Sequence, residues 1–299
     1  MSFLRFYEEI SSIRGFNPEK YLENKVYLIN EFFKNERRDS VVVGISGGID
    51  SALVVNIFNK AAQAKDSPIR MIVGLILPVS GSGTTGQNKA KDKALEVLNK
   101  IPVACQVMDL SPAYDSIVAQ GGGSAWAQGQ MASVLRTPAL YYQAALLQDA
   151  GYRSIVSGTT NRDEGAYIGF YGKGSDGMVD IQPIGDLHKS EVVLLSKMLN
   201  VPVEIQIAPP AGDVWDGRVD EQMIGAPYWF IESYLIMLEK GRFDLLEMLG
   251  QEERTKADRW MENIEKIHKT NLHKYQVGLP ARFVDVIPRC VPGGWSSKL

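Results

Sequence analysis

The run Val41-Val42-Val43-Gly44-Ile45 passes directly into Ser46-Gly47-Gly48-Ile49-Asp50-Ser51 and then into an apolar stretch from Ala52 to Gln63. β-Branched side chains suit a buried strand, and the stretch after the loop suits a helix. The chain must therefore turn from strand to helix through two adjacent glycines. Without a Cβ at either position, the backbone amides can point together at one anion. The first turn of the following helix adds unpaired N–H donors and the positive end of its dipole. Ser46 and Ser51 add short hydroxyls. Asp50 puts negative charge where a phosphate would lie, which makes sense if a divalent cation bridges the two. The loop has neither the lysine nor the spacing of G-x-x-x-x-G-K-[ST], and it is not G-x-G-x-x-G.

Further strand-like runs occur at Met71–Leu77, Ala104–Leu110 and Ser154–Thr159, and Ile181 centres a short one. Helical patterns separate them. Asn17-Pro18 starts one, with Leu22, Val26, Ile29 and Phe33 on a single face. Ala90, Ala94, Val97, Leu98 and Ile101 mark a second. A third runs from Ala125 to Ala150, with Pro138 as a kink or boundary, and a fourth from Leu187 to Leu199. This alternation predicts an α/β fold, a Rossmann-like doubly wound parallel sheet flanked by helices, followed by a mainly helical C-terminal part. One domain over residues 1–299 is expected: an N-terminal helical segment 1–38, a nucleotide-binding core 39–207, a loop 208–221, and a helical part with its tail 222–299. Ligands of such sheets sit at the carboxyl ends of strands, where strand order reverses, and the glycine loop falls at such an end.

The 32 basic and 35 acidic residues leave a net charge of −3, which argues against a surface built to grip nucleic acid. Cys105 and Cys290 match no metal-ligand spacing and fit a reducing cytoplasm. No signal peptide is read at the N-terminus, and no apolar run is long enough to span a membrane.

Ser46-Gly47-Gly48-Ile49-Asp50-Ser51 resembles the SGGxDS signature of the ATP pyrophosphatase loop superfamily, whose members split ATP into AMP and pyrophosphate. Within it, Gly158-Thr159-Thr160-Asn161-Arg162-Asp163-Glu164 is similar to the GTxNxxE block of NAD synthetases. Lys173, Asp176, Asp180, Pro183, Leu187 and Lys189 resemble that family's K-x-G-D, D-x-x-P and L-x-K run. Pro210 to Trp215, followed by Asp220-Glu221, looks like its lid loop. The resemblance implies ATP contacts from Gly44, Ile45, the loop residues 46–51, Thr159, Lys189 and Ala211. It implies magnesium on Asp50 and Glu164, and catalytic roles for Asp50 and Lys189. It implies deamido-NAD contacts from Arg136, Lys173, Asp180, His273 and Lys274, with His268-Lys269 as a rival for the last pair, and a lid carrying Asp213 and Trp215. The sequence departs from the family where Val134 replaces the first arginine of A-R-x-R-M, and also at Gly172, Ser175 and Ala211. These changes lie mostly on the acceptor side.

By this resemblance a carboxylate is activated as an acyl-adenylate and then attacked by ammonia. The residues before Val41 are too few for an attached glutamine-hydrolysing domain, so ammonia itself is the expected nitrogen source, and a homodimer the expected assembly. Other amide-forming members of the superfamily, such as a GMP synthetase subunit, are the alternative. An RNA-thiolating enzyme would want a reactive cysteine pair and a basic face.

Overall fold

Asn17 caps its helix as its position suggests: its side chain accepts the Lys20 N–H at 2.8 Å, and Pro18 follows at the first helical position. The computed structural model describes residues 2–79, 87–209, 219–275 and 282–283. Helices α1 (Phe3–Arg14) and α2 (Pro18–Asn35) lead into β1 (Ser40–Gly44), α3 (Ile49–Ala62), β2 (Met71–Ile76), α4 (Gln87–Leu98), β3 (Ala104–Val107), α5 (Ser111–Gly121), α6 (Ala125–Asp149) and β4 (Ser154–Ser157). Then come α7 (Arg162–Gly165), β5 (Ile181–Gln182), α8 (Lys189–Met198), α9 (Val203–Gln206), α10 (Asp220–Ile224), α11 (Tyr228–Lys240), α12 (Gln251–Asn271) and a two-residue β6 (Arg282–Phe283).

All strand pairs are parallel, in the order β3-β2-β1-β4-β5-β6. The chain winds outward from β1 to β3, then returns to the other side of β1 with β4. Alternate side chains of a strand face opposite sides of the sheet, and the valine run shows why this strand is central. Val41 and Val43 pack with α2, α3 and α8 on one face, while Val42 packs with α6 and with Val73 and Val156 on the other. A third apolar cluster joins α1 to α11 and α12. The N-terminal segment is thus divided: α2 belongs to the sheet, and α1 to the C-terminal helices.

Two local expectations are corrected and a third is narrowed. Pro138 neither starts nor ends a helix but lies inside α6. Proline forfeits one intrahelical bond, and here Pro138 and Val134, whose carbonyl loses its partner, both face solvent. The strand expected over Ala104–Leu110 stops at Val107, and Asp109 instead accepts the Ser111 N–H at 2.9 Å in a local turn. The loop expected to run to Glu221 ends sooner, because Asp220 and Glu221 form the first turn of α10, where acidic side chains favour a helix. Ala211, Asp213 and Trp215 lie outside the described residues.

Glu232 of α11 is buried against the sheet domain, accepting the Ser190 Oγ at 2.9 Å and the Tyr7 hydroxyl at 3.3 Å. Burial, with Asp163 nearby, pushes its carboxyl up from 4.5 to about 7. A carboxyl that holds its proton more tightly when folded makes stability fall as pH rises from the unfolded value to the folded one. The melting temperature is therefore expected to decline between pH 5 and 8, and the decline should be shallower in E232Q. Parallel melting curves for the two proteins would contradict this origin.

Candidate active site

β1 and β4 are adjacent and parallel, so the loops that leave their carboxyl ends lie side by side at the point where strand order reverses. After β1, the turn is held by serine hydroxyls. Gly48 N–H donates to Ser46 Oγ at 3.2 Å, Ser46 N–H donates to Ser51 Oγ at 3.3 Å, and Ser51 Oγ donates to the Gly48 carbonyl at 3.0 Å. Of the two glycine amides, that of Gly48 is therefore engaged within the loop. Gly47 has φ +81°, and a Cβ there would stand 2.4 Å from the Ala90 carbonyl oxygen. Ile49 and Asp50 open α3, and the N–H groups of a first helical turn have no acceptor inside the helix. Gly44 ends β1, and Ile45 N–H donates to the Leu75 carbonyl at 2.9 Å, fixing where the loop departs.

After β4, Gly158 lets Gln182 approach, since a Cβ there would meet the Gln182 amide at 2.4 Å. Gln182 accepts the Thr160 N–H at 3.2 Å and donates to the Asp176 carbonyl at 2.8 Å, so one buried side chain spaces two loops. Thr159 stands half-buried beside it. Asn161 caps α7 through the Glu164 N–H, and its amide nitrogen donates to both Asp50 Oδ1 at 3.0 Å and Glu164 Oε1 at 2.7 Å.

Lys189 reaches the same point from α8. Its Nζ lies 2.6 Å from Asp50 Oδ2 and 3.4 Å from Glu164 Oε1. Tyr228, which opens α11, brings its hydroxyl to 3.0 Å from Glu164 Oε1 and 3.2 Å from Asp220 Oδ2, with the Lys189 ammonium over its ring. Two carboxylates therefore pair with one lysine, and a third, Asp220, joins them through the Tyr228 hydroxyl. Burial pushes the Glu164 carboxyl up to about 7, with Lys189 opposing and Asp50 and Asp220 adding to the rise. Burial would lower the Lys189 ammonium, but Asp50 and Glu164 outweigh it and hold the group well above the ordinary lysine range.

The start of α8 is fixed from behind. Asp163 accepts the Lys189 N–H at 2.7 Å and binds His188 Nδ1 at 2.6 Å, with both side chains fully buried. Glu191 accepts the His188 N–H and pairs with Arg14 of α1 at 2.7 Å. Lys25 and Tyr21 of α2 hold Asp186 at 2.9 and 2.6 Å.

Glu164 sits in a charge deficit that a divalent cation would relieve, and the facing oxygens of Asp50 and Glu164 are hard donors. Among the described residues no three His, Cys, Asp or Glu side chains form a metal cluster. Such a cation would take two carboxylates and complete its shell from water and phosphate, as suits magnesium.

Of the residues expected on the acceptor side, Lys173 and His273 meet, Lys274 lies next to His273, and Arg136 and Asp180 are engaged elsewhere. Lys173 donates to the His273 carbonyl at 3.2 Å, and Lys274 donates to the Gly169 and Tyr171 carbonyls at 2.8 and 2.6 Å. His268, the rival for that pair, bonds the Tyr167 carbonyl and stacks on the Tyr167 ring at 3.8 Å. Arg136 donates to the Leu77 carbonyl just past β2. Asp180 is engaged by the Val156 N–H at 2.8 Å and the Tyr141 hydroxyl at 3.3 Å, so its carboxylate braces β4. Sequence reasoning did not single out Asn161, Asp163, Gln182 or Tyr228. The first two lie inside the block already quoted, and Gln182 lies between Asp180 and Pro183. Tyr228 carried no sequence signal.

The strand order, the glycine loop at its reversal and the acid–lysine group beside it define an α/β nucleotide-binding protein. The chain belongs to the NAD synthase family, whose model matches residues 21–278. It is 33% identical to the NH(3)-dependent NAD(+) synthetase of Methanococcoides burtonii, over 79% of this chain and 84% of that one. Among solved structures it resembles the NMN synthetase of Francisella tularensis, with a TM-score of 0.72, 29% identity, and coverage of 90% of this chain and 100% of the other. The NH3-dependent NAD synthetase of Campylobacter jejuni shares the fold at 22% identity and a TM-score of 0.67, with 89% and 100% covered. No helix among the described residues is long and apolar enough to cross a membrane.

Gly47→Ala combines a positive φ with a backbone clash. It is expected to weaken ATP binding by about tenfold or more, the scale of a kilocalorie-level strain, as titration calorimetry would read. Unaltered ATP affinity would show that the loop does not hold the nucleotide.

Proposed function

We propose that the chain converts deamido-NAD to NAD with ATP and ammonia, releasing AMP and pyrophosphate. The observation that carries this reading is the meeting of Asp50, Glu164 and Lys189 beside the glycine loop, in a chain of the NAD synthase family. The loop from Gly44 to Ser51, together with Thr159 and Lys189, holds ATP. Ala211 belongs to the same reading, and Asp213 and Trp215 to the loop that covers the site. Asp50 and Glu164 hold magnesium, which supplies charge neutralisation for the phosphates. Lys173, His273, Lys274 and Arg136 bind the acceptor, and Asp180 supports them by holding β4.

The chemistry requires no protein nucleophile. The nicotinate carboxylate attacks the α-phosphate of ATP, and the bond to pyrophosphate breaks as the acyl-adenylate forms. Ammonia then attacks the acyl carbon and AMP leaves. Lys189 and the loop amides stabilise the charge that builds on the phosphates, and the fixed geometry holds the carboxylate in line. The low exposure of Lys189 keeps that charge–charge interaction strong.

A homodimer belongs to the same reading, and α6 exposes Trp126, Val134, Tyr142 and Leu146, of which Tyr142 and Leu146 are four residues apart on one face. Val134, also exposed on α6, replaces an arginine of the family pattern. The reading keeps the chain in the cytoplasm, where ATP and dinucleotides are held.

A second acceptor is favoured by one observation, the resemblance to an NMN synthetase. On that reading the acid amidated is nicotinic acid mononucleotide. Purified protein supplied with ATP, magnesium and ammonium, and with either acceptor, distinguishes them by the ratio of kcat/KM. AMP and pyrophosphate are expected in step with the amide, and D50A is expected to abolish them. Formation of ADP and phosphate, or AMP release that needs no acceptor, would overturn the amidation reading.

A further inference from the structure

Tyr228 holds a place that neither the loop nor the acceptor patch explains. Its hydroxyl contacts Glu164 Oε1 at 3.0 Å and Asp220 Oδ2 at 3.2 Å, yet it has a single proton to donate. Its backbone N–H donates to Glu221 Oε1 at 2.8 Å, so the consecutive acids Asp220 and Glu221 are both tied to one residue. The ring is buried, 6% exposed, with the Lys189 ammonium 5.1 Å from its centre. Glu164 Oε1 also accepts from Asn161 at 2.7 Å. Lys189 reaches the same oxygen at 3.4 Å, and both Asn161 and Lys189 also donate to Asp50, so Glu164 Oε1 is turned toward Asp50 with Tyr228 holding it from the other side.

We propose that Tyr228 is a positioning residue for a divalent cation: its hydroxyl sets the Glu164 carboxylate to face Asp50 and keeps Asp220 one hydroxyl away from the pair. This rests on the assignment of Asp50 and Glu164 as cation ligands. Groups that orient a ligand from outside the coordination shell typically change metal affinity by about ten- to a hundredfold. Tyr228 acts on Glu164 without adding charge. A site governed by net charge alone would behave differently, because Tyr228→Phe removes no charge and Asp220→Asn removes one.

The deciding measurement is Mn2+ binding to the full chain in the presence of ATP and without acceptor, followed by electron paramagnetic resonance, with circular dichroism and melting curves to confirm the fold. The phenylalanine variant is expected to loosen Mn2+ by about tenfold or more, and D220N to loosen it less. The reverse order, or a phenylalanine variant within twofold of the parent, overturns the role of Tyr228 while leaving the cation pair standing. If the phenylalanine chain does not fold, D220N decides alone. Loosening of threefold or less supports positioning, and a larger loss points to net charge and overturns the proposal. Parent protein that binds no Mn2+ removes the cation pair, and the role of Tyr228 with it. Amide formation by the parent protein is measured separately, so failure of the function is told apart from failure of this role.

Discussion

Lys189 lies buried between Asp50 and Glu164, and most of the site's geometry follows from keeping a charged amine there. A buried cation is costly unless it is paired and hydrogen-bonded. The three partners come from the ends of β1 and β4 and from the start of α8, so the ion group can form only if strand order reverses between β1 and β4. The doubly wound sheet is thus a precondition of the site. The ion group in turn makes slippage of any of these elements costly.

The lysine is steered from behind as well as in front. Asp163 holds its backbone N–H and the His188 ring, Glu191 closes the first turn of α8, and Arg14 clamps Glu191 from α1. The N-terminal helices are therefore part of what orients a side chain far along the chain. Within this network Asp163 and Glu191 are each engaged by two groups, while His188 Nε2 is buried without a hydrogen-bond partner among the described residues. The apolar cluster that packs α1 on α11 places Tyr228 on the opposite side of the same carboxylates.

Much of the sheet could be read from the sequence, because β-branched runs and helical stripes are local signals that packing reinforced. Val41–Val43, the stripe through Leu22, Ile29 and Phe33, and the Asn17-Pro18 cap all behave as their patterns imply. Element ends were misplaced where short local signals were passed over, such as the Asp109–Ser111 turn after β3. Pro138 sits within α6 because its lost bond faces water. Asp220 and Glu221 start a helix because acidic side chains suit a first turn, and Tyr228 then bonds both.

The sequence by itself determined the elements and the glycine loop, together with the residue types able to hold phosphate and a hard cation, since these depend on side-chain size, charge and spacing along one stretch. Only the tertiary structure decided which of those groups meet. Contacts such as Asp50 with Lys189, or Glu164 with Tyr228, depend on the order of strands and the docking of helices distant in sequence. The same distinction separates Asp180, whose carboxylate braces β4, from Lys173, which reaches the His273 carbonyl, and Lys274, which reaches the Gly169 and Tyr171 carbonyls. One-dimensional spacing carries no record of which side of a strand its neighbour will take, and that choice brought the site together.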